Sequence, residues 1–170
     1  MSRAPGAIRD ATATYAPASV ASRMAPGARL IAVGYPRLFA EGGRGYRPDP
    51  SVGGAPACRV GVTPLHTPIR VTRAGARFLD ASVDRLNTAI RDGVAEAASR
   101  LAGAGATQQV GFVASDPAFA GHRLCNASPW VNGVEITALG VPKRISLHPN
   151  AKGQAAYARA VGAALAATPT

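Results

Sequence analysis

Two short apolar runs constrain this chain more than any other feature. ARLIAVGYP covers residues 28–36 and TQQVGFVASD covers residues 107–116. Neither alternates between apolar and polar positions, so each reads as a strand buried on both faces. Between them, residues 75–102 carry Leu79, Val83, Leu86, Ile90, Ala97 and Leu101 at helical spacing, an apolar stripe facing a core. Strand, helix, strand with both strands of the buried type predicts an α/β fold built on a parallel sheet. Two strands alone do not make a stable sheet of that kind, so part of the sheet is expected to be missing.

The flanking segments are less regular. Residues 7–24 predict a first helix, weakened by Pro17, and APG at 25–27 stops it. Residues 37–73 are rich in turn residues and read as a long irregular segment, which in a compact domain is functional or stapled. After the second strand comes another irregular stretch, with His122, Cys125 and Trp130. Residues 133–138 predict a short edge strand or a loop. Pro149 is expected to open a last helix, from the first helical position to about Ala166, with Tyr157, Val161 and Leu165 on its inner face. At 170 residues, the length fits one domain, residues 1–170.

The net charge of +10 raises the question of an anionic partner. The cations are scattered from Arg23 to Arg159, with no basic block and no interleaved aromatics, so a nucleic-acid partner is not expected. No apolar run is long enough to span a bilayer. MSRAPGAIRD, at the start, has no apolar signal-peptide core. Cys58 and Cys125 would pair in an exported protein and stay free thiols in a reducing compartment. They cannot make a zinc site alone, and no metal or cofactor is expected. That Cys58 lies in the long irregular segment favours a staple.

Several blocks together resemble a known family. ARLIAVGYPRLF, LDASVDRLNTAI, FVASDPAFAGHRLC, PWVNG and SLHPNAKGQAAYA, in that order, are similar to the C-terminal portion of SGNH/GDSL-type hydrolases, the secreted actinobacterial esterases and lipases above all. The resemblance runs from about Tyr15 to Leu165. It implies a three-layer flavodoxin-like α/β fold, here lacking its first strands, and hydrolysis of small-molecule or lipid esters outside the cell. It also implies a Cys58–Cys125 bridge.

In that family a serine in a Gly-Asp-Ser block attacks the ester, and a histidine in the last block takes its proton. Imidazole suits this task because it titrates near neutrality. The matching residue is His148. Many members carry an acid three residues earlier; here that position is Ile145, so a backbone carbonyl near Ile145 is expected to orient the ring, with Ser146 as a weaker alternative. His122 and Trp130 are expected either at the substrate pocket or in fixing the Cys125 loop, Trp130 reading first as a packed anchor. His66 reads as a loop residue, and Gly153 as a point of close helix packing.

No Gly-Asp-Ser block is present, nor a Gly-x-Ser-x-Gly elbow, nor the asparagine block that would complete an oxyanion hole. Ser115, just after the second strand, is a poor nucleophile candidate because no oxyanion donors accompany it. The chain alone is therefore expected to be inactive, as the C-terminal part of an exported esterase. Two further readings are a non-catalytic basic binding module and a fragment that complements a separate N-terminal part.

Overall fold

The computed structural model describes residues 23–42 and 45–167. Most of the helix expected over residues 7–24 lies outside them. In chain order the elements are β1 (Arg29–Val33), β2 (Arg47–Pro48), a 3-10 turn (Pro50–Val52), β3 (Pro56–Val62), β4 (Pro68–Thr72), α1 (Arg73–Gly103), β5 (Gln109–Val113), a 3-10 turn (Asp116–Phe119), β6 (Val134–Glu135) and α2 (Ala151–Ala166). The mixture is α/β, as the two apolar runs require. The described chain divides into two compact units, one of residues 23–35, 83–115 and 160–167, the other of residues 36–42, 45–82 and 116–159.

The first unit holds the expected parallel pair. β1 and β5 run in register from Arg29 opposite Gln109 to Val33 opposite Val113. The ladder continues at both ends, where Gln109 N–H donates to Ala28 O and Gly34 N–H to Val113 O, each at 2.9 Å. Asn87 of α1 then closes both polar groups of Tyr35. Its Oδ1 accepts the Tyr35 N–H at 2.8 Å and its Nδ2 donates to the Tyr35 carbonyl at 2.7 Å. Arg29 donates to the Ala164 and Leu165 carbonyls at 3.2 and 2.9 Å, which supplies the C-terminal turn of α2 with donors it lacks internally.

The second unit overturns one expectation. The stretch 37–73 is not irregular throughout: β3 and β4 form an antiparallel hairpin, and on the other edge of β3 lie β2, antiparallel at its start, and β6, parallel at its end. The turn residues in this stretch are strand ends and a bulge rather than one loop. Pro48, Pro56 and Pro68 each sit at a strand terminus, where a missing N–H costs least. The ladder shifts register between Arg59 and Gly61. A Cβ at Gly61 would overlap the Val134 carbonyl oxygen, so glycine there is what lets β6 pair with β3. The residues at 133–138 thus resolve as a two-residue strand, β6, followed by a turn.

The core of this unit gathers Phe39, Ala40, Tyr46, Cys58, Val60, Ala76, Phe119, Leu124, Val131 and Ala156. Cys58 and Cys125 are joined in a disulfide with Cα atoms 5.9 Å apart.

Both helices bury smaller residues than their patterns suggest. In α1 the most buried positions include Ala76, Ala89 and Ala97, whereas Leu79 is 42% exposed. In α2 they are Gly153 and Ala156, while Leu165 is exposed. Small side chains let a helix approach its neighbour closely, so they end up deepest.

Candidate functional site

His148 sits where a short ladder meets α2. Val131 pairs antiparallel with Pro149. The Asn132 N–H donates to the His148 carbonyl at 2.8 Å, and the Leu147 N–H to the Asn132 carbonyl at 3.2 Å. One residue further on, the Asn150 N–H donates to the Trp130 carbonyl at 2.9 Å. The backbone on both sides of His148 is thereby held. Leu147 has φ +62°, the left-handed region, at a cost of about 1–2 kcal/mol for a residue with a Cβ. A residue held so at an exposed turn marks a place where the surrounding bonds dictate the course of the chain.

The imidazole is oriented by a carbonyl. His148 Nδ1 lies 3.0 Å from the carbonyl oxygen of Ser146. A carbonyl only accepts, so this contact requires the proton on Nδ1 and leaves the lone pair on Nε2. The carbonyl of Ile145 is engaged elsewhere, accepting the His148 backbone N–H at 3.1 Å. The carbonyl that meets Nδ1 is thus that of Ser146, the weaker of the two expected partners, and not that of Ile145. Ser146 is itself fixed by Glu135: its hydroxyl accepts the Glu135 N–H at 3.1 Å and lies 3.2 Å from the Glu135 carbonyl.

Asn150, not Pro149, starts the helix. Its Oδ1 accepts the N–H groups of Lys152 and Gly153 at 3.1 and 3.2 Å, the bonds of an N-cap, so Pro149 lies just outside. Its Nδ2 donates to the Pro129 carbonyl at 3.0 Å, tying the cap to the segment that carries Trp130. Gly153 permits the close approach: a Cβ there would overlap the Trp130 carbonyl oxygen.

His122 and Trp130 are brought together. Their rings stack with centroids 3.7 Å apart and planes 3° from parallel. The His122 Nδ1 lies 3.0 Å from the Ser128 carbonyl. Trp130 meets Phe119 edge-on at 6.3 Å, and Phe119 meets Tyr157 edge-on at 5.3 Å. The Trp130 N–H donates to the His122 carbonyl at 2.7 Å. This aromatic row and the His148 turn therefore share the Trp130–Asn132 backbone.

Ser115 cannot serve as an exposed nucleophile. It is fully buried, and its hydroxyl donates to the Gly34 carbonyl at 2.5 Å. Ser51, Ser82 and Ser99 spend their hydroxyls on Asp49 and on the Phe78 and Ala95 carbonyls. His66 lies in the β3–β4 turn with φ +58°. Among the described residues, no three of His, Cys, Asp and Glu gather as metal ligands, and no helix is long and apolar enough to cross a membrane.

A charged cluster escaped the sequence reading. Asp80, 8% exposed on α1, accepts the N–H groups of Leu38 and Phe39 on one oxygen, at 2.9 and 3.2 Å. Burial pushes its carboxyl above the ordinary value, opposed by those N–H groups and by the Arg123 and Arg37 charges. Arg123 pairs with Asp116 at 2.8 Å, and Asp116 accepts the Arg37 N–H at 2.7 Å. The only hint in the sequence is an aspartate on the stripe side of a helix, four residues after Ala76.

A separate cavity of about 530 Å³ in the first unit is lined by Arg29, Leu30, Ile31, Ala98 and Gly111 among others; His122, Trp130 and His148 do not line it.

No family model matches the sequence. The chain is similar to a curated lipase from Streptomyces rimosus, 30% identical over 130 residues. That stretch covers 76% of this chain and 34% of the lipase, so the chain spans about a third of the length of this relative. A solved structure of an extracellular lipase from Streptomyces rimosus superposes with a TM-score of 0.48 at 24% identity, over 94% of this chain and 56% of that one.

Proposed function

From this likeness to a lipase, we propose that the chain carries the general-base portion of an ester hydrolase of the SGNH type, working on small-molecule or lipid esters outside the cell. His148 is the base. The observation that supports this reading is the 3.0 Å contact between its Nδ1 and the Ser146 carbonyl. With the proton held on Nδ1, Nε2 is the nitrogen that takes the proton of an attacking serine and passes it to the leaving alcohol. A carbonyl cannot stabilise imidazolium as a carboxylate does, but it holds the tautomer and the ring direction, the larger part of the orienting task. The stacked pair of His122 and Trp130 supplies a flat apolar wall for the substrate.

The nucleophile and the oxyanion donors belong to Gly-Asp-Ser and asparagine blocks that these 170 residues do not contain. The Cys58–Cys125 bridge suits an oxidising compartment.

The test is p-nitrophenyl butyrate hydrolysis by the chain alone and by the chain joined to a Gly-Asp-Ser-bearing N-terminal segment of the lipase relative. The expected result is no turnover alone and turnover in the joined form, lost by about 10³-fold or more in His148→Ala. Turnover by the isolated chain that survives His148→Ala would overturn the reading.

A further inference from the structure

The two most exposed large apolar residues of the described chain are Leu139 and Leu65, at 90% and 88%. They occupy equivalent positions in two turns with one hydrogen-bond scheme. In the first, Thr63 to Thr67, the Thr63 N–H donates to the Thr67 carbonyl at 2.9 Å, the His66 N–H to the Thr63 carbonyl at 2.9 Å, and the Thr67 N–H to Thr63 Oγ1 at 3.1 Å. In the second, Thr137 to Val141, the Thr137 N–H donates to the Val141 carbonyl at 2.8 Å, the Gly140 N–H to the Thr137 carbonyl at 2.9 Å, and the Val141 N–H to Thr137 Oγ1 at 3.2 Å. Each turn begins with a threonine, puts leucine third and a residue of positive φ fourth, His66 at +58° and Gly140 at +77°.

The turns also leave the same end of one sheet. β3 and β6 are parallel neighbours, with Val62 opposite Glu135. The first turn follows β3 and the second follows β6, separated from it only by Ile136. Two rigid, adjacent loops thus each present one leucine to solvent. Val141 and Ile145, 57% and 52% exposed, extend the apolar surface along the segment that continues into His148. The two segments 56–72 and 134–148 hold the cations Arg59, Arg70, Lys143 and Arg144 against one acid, Glu135. Arg70 pairs with Asp49 of the neighbouring strand end and Lys143 with Glu135, the latter at 2.6 Å, while Arg59 and Arg144 are exposed.

We propose that this end of the sheet docks on an anionic lipid surface, with Leu65 and Leu139 entering the acyl boundary and Arg144 at headgroup level. Separate apolar tips with a cationic rim match the layered chemistry of a bilayer interface. A stable protein interface rests on about 800 Å² of surface on each side, whereas Leu65 and Leu139 are single side chains at the tips of two turns. The inference rests on exposure, turn geometry and charge, and stands whether or not the chain hydrolyses esters.

The test is co-sedimentation of the full chain with vesicles of phosphatidylcholine plus phosphatidylglycerol, and with vesicles of phosphatidylcholine alone. The expected result is binding to the anionic vesicles that weakens with salt, and that falls by about tenfold or more in Leu65→Ser/Leu139→Ser with the melting temperature unchanged. Arg144→Gln should weaken it severalfold and flatten the salt dependence. As a gain of signal, Leu139→Trp should shift its emission to the blue on adding anionic vesicles, over the constant contribution of Trp130. Binding unchanged in the double variant, an unshifted emission, or no sedimentation of the parent chain would overturn the proposal. So would a concentration-dependent dimer that the double variant dissolves, since the tips would then serve a second copy of the chain.

Discussion

Asp80 holds the Leu38 and Phe39 N–H groups from a site that water scarcely reaches, and its protonation is coupled to folding. An acid whose folded pKa is raised keeps its proton in the native state at a pH where the unfolded chain has lost it. Its contribution to stability is fully present below its ordinary value of 3.8 and is lost as pH rises through the raised one. Asp80→Asn cannot ionise, so it escapes that loss. The expected outcome is a melting temperature that rises relative to the parent as pH increases from about 3, read by thermal melts across that range. His148 shows the other side of residue-scale reasoning. That a carbonyl near Ile145 would meet its ring was legible, with Ser146 the weaker alternative, but which of the two does so was not. Which of two successive carbonyls faces Nδ1 depends on the left-handed turn at Leu147, and nothing in the local sequence announces a leucine at φ +62°.

Among the elements, α2 begins where an asparagine can do two things at once. Asn150 caps two N–H groups and pins the Pro129 carbonyl, so Asn150→Ala should cost about 1–2 kcal/mol in urea unfolding, above an isolated cap. Proline at the first helical position was a fair expectation from pattern, and the capping bonds displaced it by two residues. α1, β1 and β5 were all legible, because long apolar periodicity and short buried runs are local signals. β3 and β4 were not. Gly61, Pro56 and Pro68 read as loop when taken singly, and only their partners show that they mark a bulge and two strand ends. The apolar stripes were legible too, though not their depth. Ala76, Ala97 and Ala156 lie deeper than Leu79 and Leu165 because close helix approach favours the smaller side chain.

At the scale of the whole molecule, the Cys58–Cys125 bridge closes 67 residues of chain, joining β3 to the segment that precedes Trp130. In the chain-entropy account such a loop stabilises by about 4 kcal/mol. The Cys58→Ser/Cys125→Ser protein should unfold at correspondingly lower denaturant, and reductant should bring the parent down to it. Both cysteines are held in the same compact unit as His122, Trp130 and His148, so loss of the bridge should also loosen that group, with faster amide exchange at Trp130 and Asn132.

By itself the sequence determined the parallel β1–β5 pair, the helix between them, the histidine block and the absence of a Gly-Asp-Ser serine. Each of these is a local pattern, written in neighbouring residues. Only the tertiary structure decided that the carbonyl of Ser146 and not that of Ile145 meets the His148 ring, that Asp80 is a buried acid, that a turn-rich stretch folds as strands, and that the turns bearing Leu65 and Leu139 leave the same end of a sheet. Those facts depend on which distant segments hydrogen-bond to one another. Backbone pairing between residues 62 and 135, or between 132 and 148, leaves no signature in the order of side chains along either strand.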